Sequence, residues 1–185
     1  SYYVQLHDMP RARPLLEEAL GLAKQERDAS VVFQAERWLA EADKFELDFD
    51  SALARLANAD AASRVAFPPG SAESADVGIS YAELIEGLAG RANTAELESA
   101  RRAASPALEI RERSADAGPL AVAHALLVRG TVSRKMGDEA SAERDLLRAY
   151  KIANAYAGST HPRTANALAQ LRLLAWERRD EARIV

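Results

Sequence analysis

Residues 130–150 read GTVSRKMGDEASAERDLLRAY. Gly137-Asp138 interrupts two segments of helix length, and after it come Ala142, Leu146 and Ala149. That spacing of i, i+4 and i+7 puts a small residue, an apolar residue and a second small residue on one face of a helix. The Gly-Asp pair is a stop followed by a start, because glycine ends one helix and aspartate opens the next.

The same triplet recurs along the chain. Ala12, Leu16 and Ala19 match it, as do Ala52, Leu56 and Ala59. Ala100, Ala104 and Ala107 form a weaker copy, and a last copy starts at Ala182. From Ala12 to Ala52 is 40 residues, from Ala52 to Ala100 is 48, from Ala100 to Ala142 is 42, and from Ala142 to Ala182 is 40. Each interval holds two helices, the second carrying the triplet. The first members are predicted at 29–46, 76–91, 119–136 and 162–178. Recurrence at a fixed period is the signature of a repeat architecture, in which a unit too small to bury its own apolar face stacks on its neighbours. The expected fold is all-α: a right-handed superhelical stack of antiparallel helix pairs. The units are expected at 1–28, 29–66, 75–115, 118–158 and a truncated 162–185. The chain ends on Glu181-Ala182-Arg183-Ile184-Val185, which reads as the opening of a helix, so a fragment of a longer protein is expected. An unfinished stack exposes an apolar end, here Ile184 and Val185, and this predicts concentration-dependent dimerisation.

Breaks fall at Phe67-Pro68-Pro69-Gly70-Ser71, Asp116-Ala117-Gly118-Pro119 and Gly158-Ser159-Thr160-His161-Pro162. Strand-like alternation is nearly absent. The composition is 48% hydrophobic and 28% charged, apolar enough for a core and too apolar for a disordered chain. The net charge of −4 and the lack of a basic, aromatic-studded stripe argue against nucleic-acid binding. No apolar run approaches the roughly 20 residues that cross a bilayer. The chain has no cysteine, which excludes disulfides, thiolate metal sites and thiol nucleophiles and fits a reducing, cytoplasmic compartment.

Little in the sequence promises catalysis. His7, His124 and His161 show no metal-ligand spacing, so no metal or other cofactor is expected. His161 precedes Pro162 and suits a turn or cap. Carboxylates such as Glu41, Asp43, Glu109 and Glu139 are expected in helix-start positions or in solvated links to arginines. There is no phosphate-binding glycine loop and no nucleophile elbow. The chain is therefore not expected to be an enzyme.

The stretch 130–150 resembles the tetratricopeptide (TPR) family in its small Gly130, its Gly137-Asp138 turn and its alanine triplet. Trp38-Leu39-Ala40, followed by Asp48-Phe49 and Ala52, is similar. HPRTANALAQL at 161–171 resembles the longer repeats of kinesin light chains and of many bacterial proteins. The unit around 76–113 departs most, with Gly87 and Gly90 in its first helix and Pro106 in its second. The resemblance implies a protein–protein interaction module that takes a peptide or helix in a concave groove lined by the first helices. By register the groove presents Gln34, Arg37, Glu41 and Lys44 from the second unit. It presents His124, Thr131, Arg134 and Lys135 from the fourth, and Asn166 and Gln170 from the fifth. Arg37, Lys44, Arg134 and Lys135 would make it locally positive, which suggests an acidic partner. The alternative is a regulatory or sensor region of a larger bacterial signalling protein, such as a kinase or transcription regulator.

Overall fold

Three turns of one design punctuate the chain. In the computed structural model, which describes residues 9–88 and 92–184 (only the backbone of 9, 10 and 180–184), Arg27, Leu47 and Gly137 take left-handed backbone with φ of 59°, 63° and 76°. That conformation ends a helix. An aspartate follows each of them and caps the next helix by accepting its free N–H groups. The Asp28 carboxylate accepts from the N–H groups of Ser30 and Val31 at 3.0 and 3.1 Å. Asp48 accepts from Ser51 at 3.2 Å, and Asp138 from Ser141 at 3.1 Å. The Gly137-Asp138 signal is thus one of three equivalent turns.

The helices so delimited are α1 (Met9–Glu26), α2 (Ala29–Phe45), α3 (Phe49–Ala66), α4 (Ala72–Gly87), α5 (Thr94–Arg113), α6 (Pro119–Lys135), α7 (Glu139–Ala157) and α8 (Pro162–Ile184). Among the described residues there is no strand, and no helix is long and apolar enough to cross a membrane. Asn93 and Glu96 form a reciprocal capping box at the start of α5. Pro106 lies inside α5 without ending it, and Gly87 is the last residue of α4. Gly90 lies outside the described residues, as does His7.

Each helix packs against the next. Further contacts join α2 to α4, α4 to α6, and α6 to α8. The even-numbered helices therefore line up side by side. The alanine triplets form the seam between helices: all of their described members are buried except Ala19, which is half-buried. Small residues there let backbones approach closely. A Cβ built on Gly130 would stand 2.9 Å from Leu146 Cγ, and one on Gly78 would stand 2.7 Å from the Ala103 carbonyl oxygen. Any larger residue would push α6 off α7, or α4 off α5.

α8 departs from expectation. It runs without a break through Arg179-Asp180, where a second helix was expected to open towards Ala182. That stretch lacks a glycine or proline, and Glu177 to Ala182 are mostly good helix formers, so nothing stops the helix. Ala167 and Leu174 face the core, whereas Leu168, Leu173 and Trp176 are exposed. The side chains of Ala182, Ile184 and Val185 lie outside the described residues.

Candidate functional site

Residues three or four apart share a helix face. α4 thereby presents Asp76, Ser80, Glu83 and Glu86 in one row. α2 presents Arg37 and Glu41, α6 presents His124 and Thr131, and α8 presents Arg163, Asn166 and Gln170. These rows border two adjoining cavities of about 200 and 320 Å³, and Glu83, His124 and Arg163 line both. The end of α5 adds Arg111 to the larger cavity.

His124 Nε2 lies 2.7 Å from Glu83 Oε1. Burial alone would push the Glu83 carboxyl up. The hydrogen bond and charge of His124, with Lys44 and Arg163 nearby, hold it below the usual carboxylate value instead. Arg37 Nη1 stands 2.8 Å from one oxygen of Asp76, and Arg111 Nη2 engages the other. The Arg37 guanidinium also lies over the rings of Phe33 and Trp38, 5.3 and 6.0 Å from their centroids. Its Nε is buried with no hydrogen-bond partner. Burial pulls the Arg37 pKa down, against the raising charges of Glu41, Glu83 and Glu73. Burial does the same to Arg111, with repulsion from Arg37 and Arg163 added.

Of the expected groove residues, Arg37, Glu41, His124, Thr131, Asn166 and Gln170 line these two cavities. Thr131 spends its hydroxyl hydrogen on the Leu127 carbonyl at 2.9 Å. Gln34 is exposed on α2 and borders neither cavity. Arg134 and Lys135 border a separate cavity beside Ala92 and Leu97. The expected positive groove is charge-mixed, because its four cations carry carboxylate partners. Lys44 pairs with Glu41 at 2.6 Å, Lys135 with Glu86 at 3.2 Å, Arg37 with Asp76, and Arg134 with Glu177. Arg134 also donates to Gln170 Oε1 at 3.2 Å. His161 Nδ1 accepts from the Arg163 N–H at 3.2 Å, a capping role as expected.

Sequence reasoning missed Asp76, Glu83 and Glu86. Their spacing on α4 matches the row on α2, but Gly87, Gly90 and Pro106 obscure the helical repeat in this unit. It missed Arg111 because α5 is a second helix of its pair, outside the set expected to line a groove. It also placed Asp43 among the solvated carboxylates. Asp43 is 3% exposed and held by Arg13 and Arg55, each at 2.7 Å. Glu139, expected at a helix start or in a link to an arginine, pairs with Arg178 of α8 at 2.6 Å.

Among the described residues, no group of three or more histidines, aspartates or glutamates is placed to hold a metal. No protein-family model matches the chain, and no curated protein matches it.

Proposed function

We propose that the chain is a right-handed solenoid of the tetratricopeptide type and a non-catalytic interaction module. It takes a peptide or helix on the face shared by α2, α4, α6 and α8. The observation that carries this is convergence: polar side chains from four helices, far apart in sequence, border two adjoining cavities. An extended ligand laid along such a row meets several helices at once, and many modest contacts sum over a long surface. Fixed ion pairs suit recognition, since charged groups already held in place lose little freedom when a ligand arrives. The acidic groups of a partner would meet Arg37, Arg111 and Arg163, the cations that outnumber their carboxylates.

A cytoplasmic location goes with this proposal, as does self-association through the exposed Leu168, Leu173 and Trp176 of α8. The same face would serve a neighbouring domain of a larger bacterial signalling protein, which is the sensor alternative. Selection from a displayed random-peptide library tests the main proposal. Enriched peptides should bind the wild type and lose binding to His124→Glu and Asn166→Trp. Peptides that bind these variants undiminished, or a selection without enrichment, would remove the proposal.

A further inference from the structure

We infer that the larger cavity is a subsite for a phosphoryl dianion, recognised by Arg37, Arg111 and Arg163 around Asp76. This deepens the binding reading above and uses the same face.

The first ground is charge. Arg37 and Arg111 share a single carboxylate, one on each oxygen of Asp76. Arg163 donates to the Leu120 carbonyl at 3.0 Å, which neutralises nothing. The other carboxylates of the cavity have cations or donors of their own: Glu41 has Lys44, and Glu83 has His124. Glu83 also acts on Arg37 and Arg163, so three guanidiniums face two carboxylates and the cluster keeps a positive surplus. A phosphate monoester is close to a dianion at neutral pH. A phosphoryl group offers the three guanidiniums three acceptor oxygens, a carboxylate only two.

The second ground is unused donors. Each guanidinium carries five N–H groups in a rigid fork. The bonds made by Arg111 and Arg163 run through one terminal nitrogen each, Nη2 to Asp76 and Nη1 to the Leu120 carbonyl, which leaves fork donors for an acceptor oxygen. Phosphoryl oxygens match the arginine fork with paired hydrogen bonds, stronger than neutral ones.

The third ground is room and mutual repulsion. The three arginines line one cavity of about 320 Å³, ample for a phosphoryl group and the stem that bears it. Arg37 and Arg163 each oppose the charge of Arg111, so the cluster stores repulsion that an anion would release. Asp76 occupies part of the place a ligand would take and sets a threshold: a weak monoanion gains little by competing with it, whereas a dianion gains more.

The test is a titration at fixed ionic strength, followed by phosphorus NMR and by calorimetry. The probes are inorganic phosphate, phenyl phosphate and, as the carboxylate control, acetate. Saturable binding of a phosphate probe is expected, at least about tenfold tighter than acetate. Tighter binding of phenyl phosphate marks an esterified phosphoryl group as the ligand, and tighter binding of inorganic phosphate marks the free ion; either supports the subsite. Arg163→Gln should weaken binding about tenfold, and Asp76→Asn should strengthen it by removing the competitor. Arg148→Gln, on α7 beside Glu112, should change nothing. Arg111→Gln is a second loss variant, and circular dichroism shows whether it folds; Arg163→Gln decides if it does not. No saturable phosphate binding would overturn the inference. So would acetate binding as tightly, or equal weakening by Arg148→Gln. Phosphate binding without any peptide ligand would keep this subsite and sink the interaction-module reading; the converse would do the reverse.

Discussion

The two halves of the molecule are built from the same helix pair and held by different means. From α4 onward, one continuous apolar core runs through α5, α6 and α7 and takes in Ala167 and Leu174 of α8. Around α1–α3 the apolar core is split into three small clusters. Between them lie two buried carboxylates on α2. Glu36, 1% exposed, accepts from Lys24, Arg55 and Asn58 at 3.1, 3.2 and 3.4 Å. Asp43 accepts from Arg13 and Arg55. Among the described residues the C-terminal half has one comparable device, Arg129 forked onto the buried Asp145 at 2.7 and 2.9 Å. The alanine triplet is common to both halves, so it sets the geometry, and the remaining contacts are free to be greasy or ionic.

The largest effect should come from the apolar half. Leu146 packs its Cγ against the bare Cα of Gly130, and Leu146→Ala should cost about 3 kcal/mol in urea unfolding. In a stacked array each unit leans only on its neighbours, so hydrogen exchange should quicken in α6, α7 and α8 and hold in α1–α3. Equal quickening in every helix would show one cooperative body and erase the distinction between halves.

Asp43→Asn comes next, at about 2 kcal/mol, because it leaves Arg13 and Arg55 short of their shared carboxylate. The cost falls below that of a sealed ion pair, since both arginines reach solvent in part. Its exchange signature should be the mirror image, confined to α1, α2 and α3. A loss under about 0.5 kcal/mol would mean that the ionic half stands on its alanines alone.

Smaller still is the turn exchange. Leu47 holds a left-handed conformation that Gly137 adopts without strain, and it is exposed, so nothing else fixes its identity. Leu47→Gly should raise stability by roughly 0.5 kcal/mol, and Gly137→Leu should lower it by about 1 kcal/mol. Calorimetric melting of the two variants gives the comparison directly; a loss in Leu47→Gly or a gain in Gly137→Leu would show that the turns are not equivalent.

The same contrast explains what was legible beforehand. Triplet spacing and Gly/Pro breaks located the helices to within a few residues, because helix period and turn chemistry are local. α4 opens four residues earlier than expected, at Ala72, since Ser71 caps it. Arg27-Asp28 and Leu47-Asp48 went unnoticed as turns because leucine and arginine carry no left-handed signal. The burial of Glu36, Asp43 and Asp145 was illegible for a different reason. Whether a carboxylate is solvated depends on arginines from other helices, and pairing across 12 to 30 residues leaves no local mark. At the site, the row on α4 could be read from spacing, whereas Arg111 could not, because its reach depends on where α5 ends against α4.

The finest discriminator is pH. The Glu83 carboxyl is held below its ordinary value of 4.5, in spite of burial, by His124 and more distantly by Lys44 and Arg163. A carboxylate favoured in the folded state stabilises it fully above the unfolded pKa, and that share vanishes as pH falls through the lower folded pKa. Glu83→Gln should therefore cost about 1 kcal/mol at neutral pH. The gap from wild type should stay constant down to about pH 5 and close as pH falls below the ordinary carboxylate value. His124→Gln should close most of the same gap without touching exchange in α1 and α3, since the pair joins α4 to α6 alone. A Glu83→Gln difference that persists unchanged into acid would mean that shape rather than charge fastens α4 to α6. The phosphoryl subsite beside them would then be lined by a wall that does not respond to protons.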